Sequence, residues 1–147
     1  MDLRETPYDH PDAQLLTTEV QQEYVRRYGG EGDIAPIDAD EFVAGRFVMA
    51  YVDGEPAAMG GWRSHGPDAE IKRMYVRPTH QRLGLARAIL ADLERTASIA
   101  GFDRLILETG LAQPEAIALY RSAGYVDVPA FGFYADDELS VHLGRRL

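Results

Sequence analysis

The sequence has no cysteine and no long apolar run, and each absence excludes a class of protein. Without cysteine the chain forms no disulfide, no thiolate metal site and no cysteine acyl-enzyme. No apolar stretch approaches the roughly 18 residues that a membrane span needs. Residues 1–5 lack the apolar run of a signal peptide. We therefore expect a cytoplasmic protein with no membrane partner.

Basic residues are also few: the sequence has 15 lysines and arginines but 24 aspartates and glutamates, which gives a net charge of −9. This balance disfavours a nucleic-acid partner, because neutralising phosphates needs a basic surface. An acidic protein attracts cations such as amines, although the same charge also keeps an ordinary domain soluble. The four histidines are scattered, with no second ligand at metal-binding spacing, so no metal is expected.

The length of 147 residues suits one domain, 1–147. Its patterns predict the order α-β-β-β-α-β-α-β-β. Helices are predicted at 11–28 and 114–122, with a short helical turn at 38–42. A third, long helix is indicated by an apolar stripe of Leu83, Ala86, Leu90, Leu93, Ala97 and Ala100. Strands are predicted at 46–52, 57–65, 70–76, 105–107, 125–128 and 139–143.

Two details of these strands refine the fold. Gly60-Gly61 suggests a bulge or a close backbone approach in the second strand. The strand, helix, strand and helix in the middle of the chain imply a parallel pair inside a mostly antiparallel sheet.

Residues 81–87 lie between a predicted strand and the start of the long helix. A helix N-terminus leaves several N–H groups unpaired and carries positive partial charge, which suits a pyrophosphate. Gly84 lets the backbone approach a ligand closely, and Ala86 keeps a second position small. An ordinary helix start with a chance glycine is the alternative. The glycine spacing of a dinucleotide site and the lysine of a P-loop are both missing.

Residues 76–86, Val-Arg-Pro-Thr-His-Gln-Arg-Leu-Gly-Leu-Ala, resemble the acyl-CoA motif of the GCN5-related N-acetyltransferase (GNAT) superfamily. Leu107-Glu108-Thr109 and residues 116–125 are similar to its later strand–helix motif. The resemblance spans 46–125. It implies an α/β fold whose mixed, mostly antiparallel sheet has six to seven strands, splays between its central parallel strands and is flanked by about four helices. It also implies transfer of acetyl from acetyl-CoA to a primary amine by direct attack in a ternary complex.

The resemblance also implies which residues hold the cofactor. The backbone of Met74, Tyr75 and Val76 would pair with the pantetheine arm as an added strand does. Gln113 stands where many relatives carry an asparagine that bonds this arm. The pyrophosphate would be held by the amides of Arg82, Leu83, Gly84, Leu85, Ala86 and Arg87.

Three side chains are candidates for proton transfer. Tyr120 stands where the family often has a tyrosine near the cofactor sulfur, and a phenol can protonate a departing thiolate. A core aromatic is the alternative. Two glutamates compete as the base: Glu108, placed as in ribosomal-protein alanine acetyltransferases, and Glu70, placed as in histone acetyltransferases. Glu108 is slightly favoured. Glu70 could instead pair with Lys72 or Arg73, and Glu108 could instead cap a helix or orient the substrate.

The acceptor and the assembly stay open. The acidic charge and an aromatic, acidic loop at 131–138 favour a small cationic amine over a protein amine. The same loop could serve a homodimer contact. An acyl-CoA-binding regulatory module without catalysis is the second hypothesis, and a phosphate-binding interaction domain is the third.

Overall fold

The computed structural model describes residues 1–29 and 42–147, which form one seven-stranded sheet with helices on both faces. The strands run in the order β1-β2-β3-β4-β5-β7-β6, and only β4 and β5 pair in parallel. The elements are β1 Asp2–Glu5, α1 Pro11–Tyr28, β2 Arg46–Val52, β3 Glu55–His65, β4 Asp68–Val76, a 3₁₀ turn Pro78–His80, α2 Leu85–Ile99, β5 Arg104–Gly110, α3 Pro114–Ser122, β6 Val126–Asp127 and β7 Ser140–Arg146.

The predicted mixed sheet and its parallel pair are confirmed, with two differences in the number of elements. The described ranges hold three α-helices and one 3₁₀ turn rather than about four helices. They also hold an additional strand, β1, whose polar residues are exposed and whose only half-buried side chain is Leu3. Such a short edge strand has no alternating apolar pattern to reveal it. Most of the turn expected at 38–42 lies outside the described residues.

Helix α2 starts later than the apolar stripe predicted. Leu83 precedes the helix and is 59% exposed, and Ala100 is exposed beyond its end. The buried face instead consists of Leu85, Ile89, Leu90, Asp92, Leu93 and Ala97. The predicted apolar stripe is therefore confirmed for Leu90, Leu93 and Ala97 and wrong at both ends. Its first residue, Leu83, belongs to the turn before the helix.

Two apolar layers cover the two faces of the sheet. Helix α2 and Tyr120 of α3 pack on one face against Leu107, whereas α1 packs on the other face against Met59 and Tyr75. Strand β5 is buried on both faces through residues 105–107. This double burial explains why that segment is wholly apolar.

A bulge interrupts the pairing of β3 with β4. Met59 lies opposite Tyr75 and Gly61 opposite Lys72, so β4 carries one extra residue there. Arg73, inside this step, has a φ of 59°. The bulge therefore lies on β4, opposite the glycines that predicted it.

The close approach expected at the glycines is present. A Cβ on Gly61 would lie 2.6 Å from the Arg46 carbonyl oxygen and 2.6 Å from the ring of Phe42. No side chain fits this position without movement of backbone or core.

Strands β4 and β5 separate after Glu70 and Ile106, just before the bulge. Their pairing is limited to Ala69 with Leu105 and Glu70 with Ile106. The rest of β4 therefore has a backbone edge with no partner strand on the β5 side. A gap opens between two strands that are parallel neighbours at their starts.

We expect Gly61→Ala to lower the free energy of unfolding by about 1–3 kcal/mol, the usual cost of an overpacked core. Glycine to alanine in an open strand would instead stabilise slightly. The exposed neighbour Ser64 provides the control, because Ser64→Ala should change stability by less than about 0.5 kcal/mol. Urea unfolding that finds both variants equal to the parent would contradict the crowding.

Candidate active site

A cavity of about 470 Å³ occupies the gap between β4 and β5. Its walls come from α1, β4, the start of α2, β5, α3 and Tyr134. Leu83 is exposed on the turn before α2 and is not part of the lining. The other residues selected from the sequence all line it: Glu70, Met74, Tyr75, Val76, Arg82, Gly84, Leu85, Ala86, Arg87, Glu108, Gln113 and Tyr120.

The start of α2 presents free backbone donors to this cavity. Its first helical hydrogen bond runs from the Ala88 N–H to the Gly84 carbonyl oxygen, at 3.0 Å. Within the described part of the chain, the amides of residues 85–87 have no acceptor. Gly84 has a left-handed φ of 78°, and a Cβ there would meet nothing within 4 Å. This backbone conformation favours glycine, and the space above the amides is open to an anion.

The edge of β4 offers a second type of contact. Residues 74–76 face the gap on the side where β5 has separated. Unpaired strand groups of this kind bind an extended chain that carries its own amides. A ligand with a pyrophosphate and an amide-bearing arm fits both features.

Tyr120 is both a core residue and a cavity residue. Its side chain is 4% exposed, and its ring packs edge-on against Tyr125 at 5.7 Å. Its hydroxyl has no hydrogen-bond partner within residues 1–29 and 42–147. Burial raises the pKa of Tyr120, and the nearby Tyr24 and Glu108 raise it further. The hydroxyl therefore keeps its proton and can donate it to a ligand in the cavity.

Glu108 is a half-buried carboxylate near the end of β5. Burial raises the pKa of Glu108. Two neighbours lower it in part: the Ser140 hydroxyl, which donates a hydrogen bond at 2.5 Å, and the positive charge of Lys72. Asp137 and Glu70 add to the increase. A carboxylate with a raised pKa in a cavity is suited to take a proton from a ligand.

Glu70 has a different environment. It is 3% exposed, and its carboxylate lies 3.2 Å from both His65 Nδ1 and Lys72 Nζ and 3.4 Å from Arg63. The ion pair with Lys72 was one alternative foreseen for Glu70, while Arg73 donates a hydrogen bond to the Tyr8 hydroxyl. Glu70 is already engaged by three basic side chains.

The wall formed by α1 was not anticipated from the sequence. Val20, Glu23 and Tyr24 line the cavity. Burial raises the pKa of Tyr24, while the side-chain amide of Gln113 lowers it in part. The only sequence signal was the spacing of Leu16, Val20 and Tyr24, which recur every four residues and so lie on one side of the predicted helix.

The end of α1 is held against the segment after β5. Arg27 donates to the Ala112 carbonyl oxygen at 2.7 Å and pairs with Glu115 at 2.6 Å. Gln113 donates to the Tyr28 hydroxyl at 3.4 Å. Gln113 therefore lies between α1 and the cavity.

The aromatic, acidic loop at 131–138 closes another side. Tyr134 lines the cavity, and the ring of Phe131 packs between His65 and His142, at 5.4 and 5.0 Å. Residues 1–29 and 42–147 contain no cluster of three metal-ligating side chains and no helix that is long and apolar enough to cross a membrane.

Comparison with known proteins identifies the family. Residues 13–125 match the model of the acetyltransferase (GNAT) family. The chain belongs to the GNAT family. It is 38% identical over 104 residues to the IAA acetyltransferase of Azospirillum brasilense, which covers 69% of this chain and 68% of that protein.

Two solved structures agree with this assignment. One, from Klebsiella pneumoniae and described as an acyl-CoA N-acyltransferase, superposes with a TM-score of 0.81 at 27% identity and covers 99% of this chain and 97% of that one. A GNAT acetyltransferase of Elizabethkingia anophelis with acetyl-CoA bound gives 0.71 at 16% identity over 99% and 97% of the chains. The chain is thus an acyl-CoA-dependent N-acetyltransferase.

The raised pKa of Glu108 predicts a pH-dependent stability. Above the ordinary glutamate pKa, the folded protein holds more protons on Glu108 than the unfolded chain, so its stability falls as pH rises through the folded pKa. Glu108→Gln removes this loss. The variant should gain stability relative to the parent as pH increases from about 4 to 7, measured by denaturant unfolding.

Glu115 provides a control of opposite sign. Burial would raise its pKa, but a backbone N–H and Arg27 outweigh that effect and lower it. Glu115→Gln should therefore lose stability relative to the parent as pH rises from below the folded pKa of Glu115 to about 5, just above the ordinary glutamate pKa, and show little trend at higher pH. Equal pH trends in the two variants would contradict the different environments of these glutamates.

Proposed function

We propose that this chain transfers acetyl from acetyl-CoA to a primary amine of a small molecule, by direct attack in a ternary complex. One cavity, in which free helix-start amides, an unpaired strand edge, a protonated tyrosine and a carboxylate of raised pKa come together, supports this proposal most strongly. We treat residues 1–147 as one domain, and the cysteine-free composition favours the cytoplasm as its location.

The proposed binding mode for acetyl-CoA uses two backbone features. The amides of residues 82–87 would hold the pyrophosphate, and the edge of residues 74–76 would pair with the pantetheine arm. Gln113 would contact the arm while its amide donates to Tyr28. The bound cosubstrate supplies the activated acetyl group as a thioester.

In the proposed reaction, Glu108 takes a proton from the acceptor amine, which then attacks the acetyl carbon. Tyr120 gives its proton to the departing thiolate and regains one from the amine nitrogen as the amide forms, while the proton on Glu108 leaves to solvent. The same burial that raises the pKa of Tyr120 also disfavours an unprotonated thiolate beside it. Burial therefore penalises both anions, and the phenol is still protonated when the thiolate departs. Glu70 would organise the charges around the acceptor rather than act as the base.

The acceptor side of the cavity supports a small cationic amine. Glu70 and Glu108 both line it, Asp137 contributes to the raised pKa of Glu108, and Tyr134 supplies an aromatic face. An ammonium group is stabilised by carboxylates and by the face of an aromatic ring. The net charge of −9 would also attract such a substrate over distance.

Thiol release from acetyl-CoA, followed against polyamines, amino acids, aminoglycosides and N-terminal peptides, tests the activity. A small amine should give the highest kcat/KM. Activity confined to the peptides would overturn the small-molecule acceptor, and acetyl-CoA binding without turnover on any amine would favour the regulatory module.

Gly84→Glu should abolish acetyl-CoA binding, because an anionic side chain would occupy the space above the free amides. Gly101→Glu is a matched control. Gly101 also has a positive φ, 98°, with nothing within 4 Å of a Cβ, but it lies just beyond the other end of α2. Calorimetry should show lost binding in the first variant only; equal affinity of both variants would remove the pyrophosphate from α2.

Tyr120→Phe keeps the ring and removes a hydroxyl that has no partner in the described residues, so stability should change by less than about 1 kcal/mol. Turnover should fall by about 10²–10⁴-fold if this hydroxyl is the general acid. Affinity for acetyl-CoA should be nearly unchanged. Thiol release and denaturant unfolding on the same preparation measure both effects.

Tyr125→Phe is the matched control, because the ring of Tyr125 is in edge-on contact with that of Tyr120. The Tyr125 hydroxyl donates to Glu94 at 2.9 Å and does not line the cavity. Its loss should cost about 1–3 kcal/mol of stability and leave turnover unchanged. Near-normal turnover in Tyr120→Phe would exclude that hydroxyl from the mechanism.

A further inference from the structure

Lys72 is the only lysine among the 147 residues, against fourteen arginines. Its side chain is 16% exposed and lines the catalytic cavity. The only side-chain amine in this sequence is thus enclosed in the cavity that binds the acetyl donor in the proposed function.

The position of Lys72 on β4 brings its amine close to the end of the free strand edge. It immediately precedes Arg73 of the bulge and stands two residues before Met74. Two strand residues span about 6–7 Å, a distance comparable to the length of an extended lysine side chain. An arm that pairs with residues 74–76 would therefore carry its thioester into reach of Nζ.

The carboxylates around Lys72 suit the chemistry of an amine nucleophile. Nζ lies 3.2 Å from Glu70 Oε2, and the ammonium is near enough to Glu108 to lower the pKa of that group. Glu70 therefore holds the amine in place, whereas Glu108 lies beyond ion-pair distance of Nζ and would take its proton through a bridging water.

We propose that the enzyme acetylates its own Lys72 from acetyl-CoA when no external amine occupies the cavity. This inference rests on the proposed function. The Lys72 ammonium gives one proton to Glu108, Nζ forms a bond to the acetyl carbon, and the C–S bond breaks. Tyr120 protonates the thiolate and regains a proton from Nζ as the amide forms. The products are acetyl-lysine, CoA thiol and one proton, released to solvent from Glu108.

The modification would change the site that performs it. Acetyl-lysine carries no charge, so Glu70 loses one of its three basic partners and Glu108 loses a cation that lowers its pKa. Self-acetylation would therefore alter the base used for external amines.

The test is incubation of the full chain with acetyl-CoA alone, followed by peptide mass spectrometry. Acetyl-lysine should accumulate at Lys72 in the parent and in Tyr125→Phe. It should form about 10²–10⁴-fold more slowly in Tyr120→Phe, which lacks the general acid. The rate per molecule should not depend on protein concentration, because the reaction is intramolecular.

A mixing experiment tests the intramolecular route. Lys72→Arg keeps a cation beside Glu70 and offers no amine, whereas Tyr120→Phe offers the lysine without the acid. When both are mixed with acetyl-CoA, Tyr120→Phe should gain no additional acetyl-lysine, since Lys72 is enclosed in its own cavity. Additional acetyl-lysine would show transfer between molecules and overturn the inference.

Two further outcomes separate this inference from the proposed function. Turnover on an external amine by an enzyme whose Lys72 stays unmodified in acetyl-CoA alone would overturn the inference alone, as would equal Lys72 acetylation in the parent and Tyr120→Phe. Absence of acetylation on both Lys72 and every external amine would overturn both proposals.

Discussion

The early end of the β4–β5 ladder is the constraint on which the site depends. Two parallel strands pair over only two residue positions and then separate, although each remains paired on its other side. Exposed strand edges are usually protected in proteins. Here the edge stays open inside the molecule: β4 leaves β5 after Glu70 and is bulged at Arg73, while β5 stays paired with β7. A ligand that resembles a strand can complete the sheet.

Burial in this gap has a common electrostatic effect on the groups that line it. It raises the pKa of both Tyr120 and Glu108, so the neutral forms are favoured over the charged ones. Proton transfer between such groups and a ligand requires little separation of charge. Tyr125, in contact with Tyr120, uses its hydroxyl to bind Glu94 instead. Two tyrosines in edge-on contact within one core cluster thus have hydroxyl groups in different hydrogen-bonding environments.

The parts of the fold predicted from the sequence are those with local signals. Proline at the first turn and glycine beyond the last defined α1 and α3 to the residue, and the wholly apolar segment 105–107 indicated a strand covered on both faces. Residues 82–87 indicated an anion-binding helix start, a structure with a short sequence signature. These signals depend only on neighbouring residues.

The parts that were missed depend on contacts between distant segments. No local pattern shows that Tyr24 of α1 lies near Glu108, or that His65 and Arg63 of β3 surround Glu70. Glycines on β3 predicted a bulge that formed on β4, because the register between two strands decides which one carries the extra residue. The proposed preference for Glu108 over Glu70 likewise rests on the partners of each carboxylate in space, which no local pattern gives.

The central claim, that the open edge of β4 and the free amides of α2 receive acetyl-CoA, is tested most directly by amide hydrogen exchange. Adding acetyl-CoA should slow exchange at residues 74–76 and 85–87, since these groups gain hydrogen-bond partners. The exposed amides just beyond the other end of α2, at 100–101, should not change. Binding demonstrated by calorimetry without protection at 74–76 and 85–87 would contradict the account.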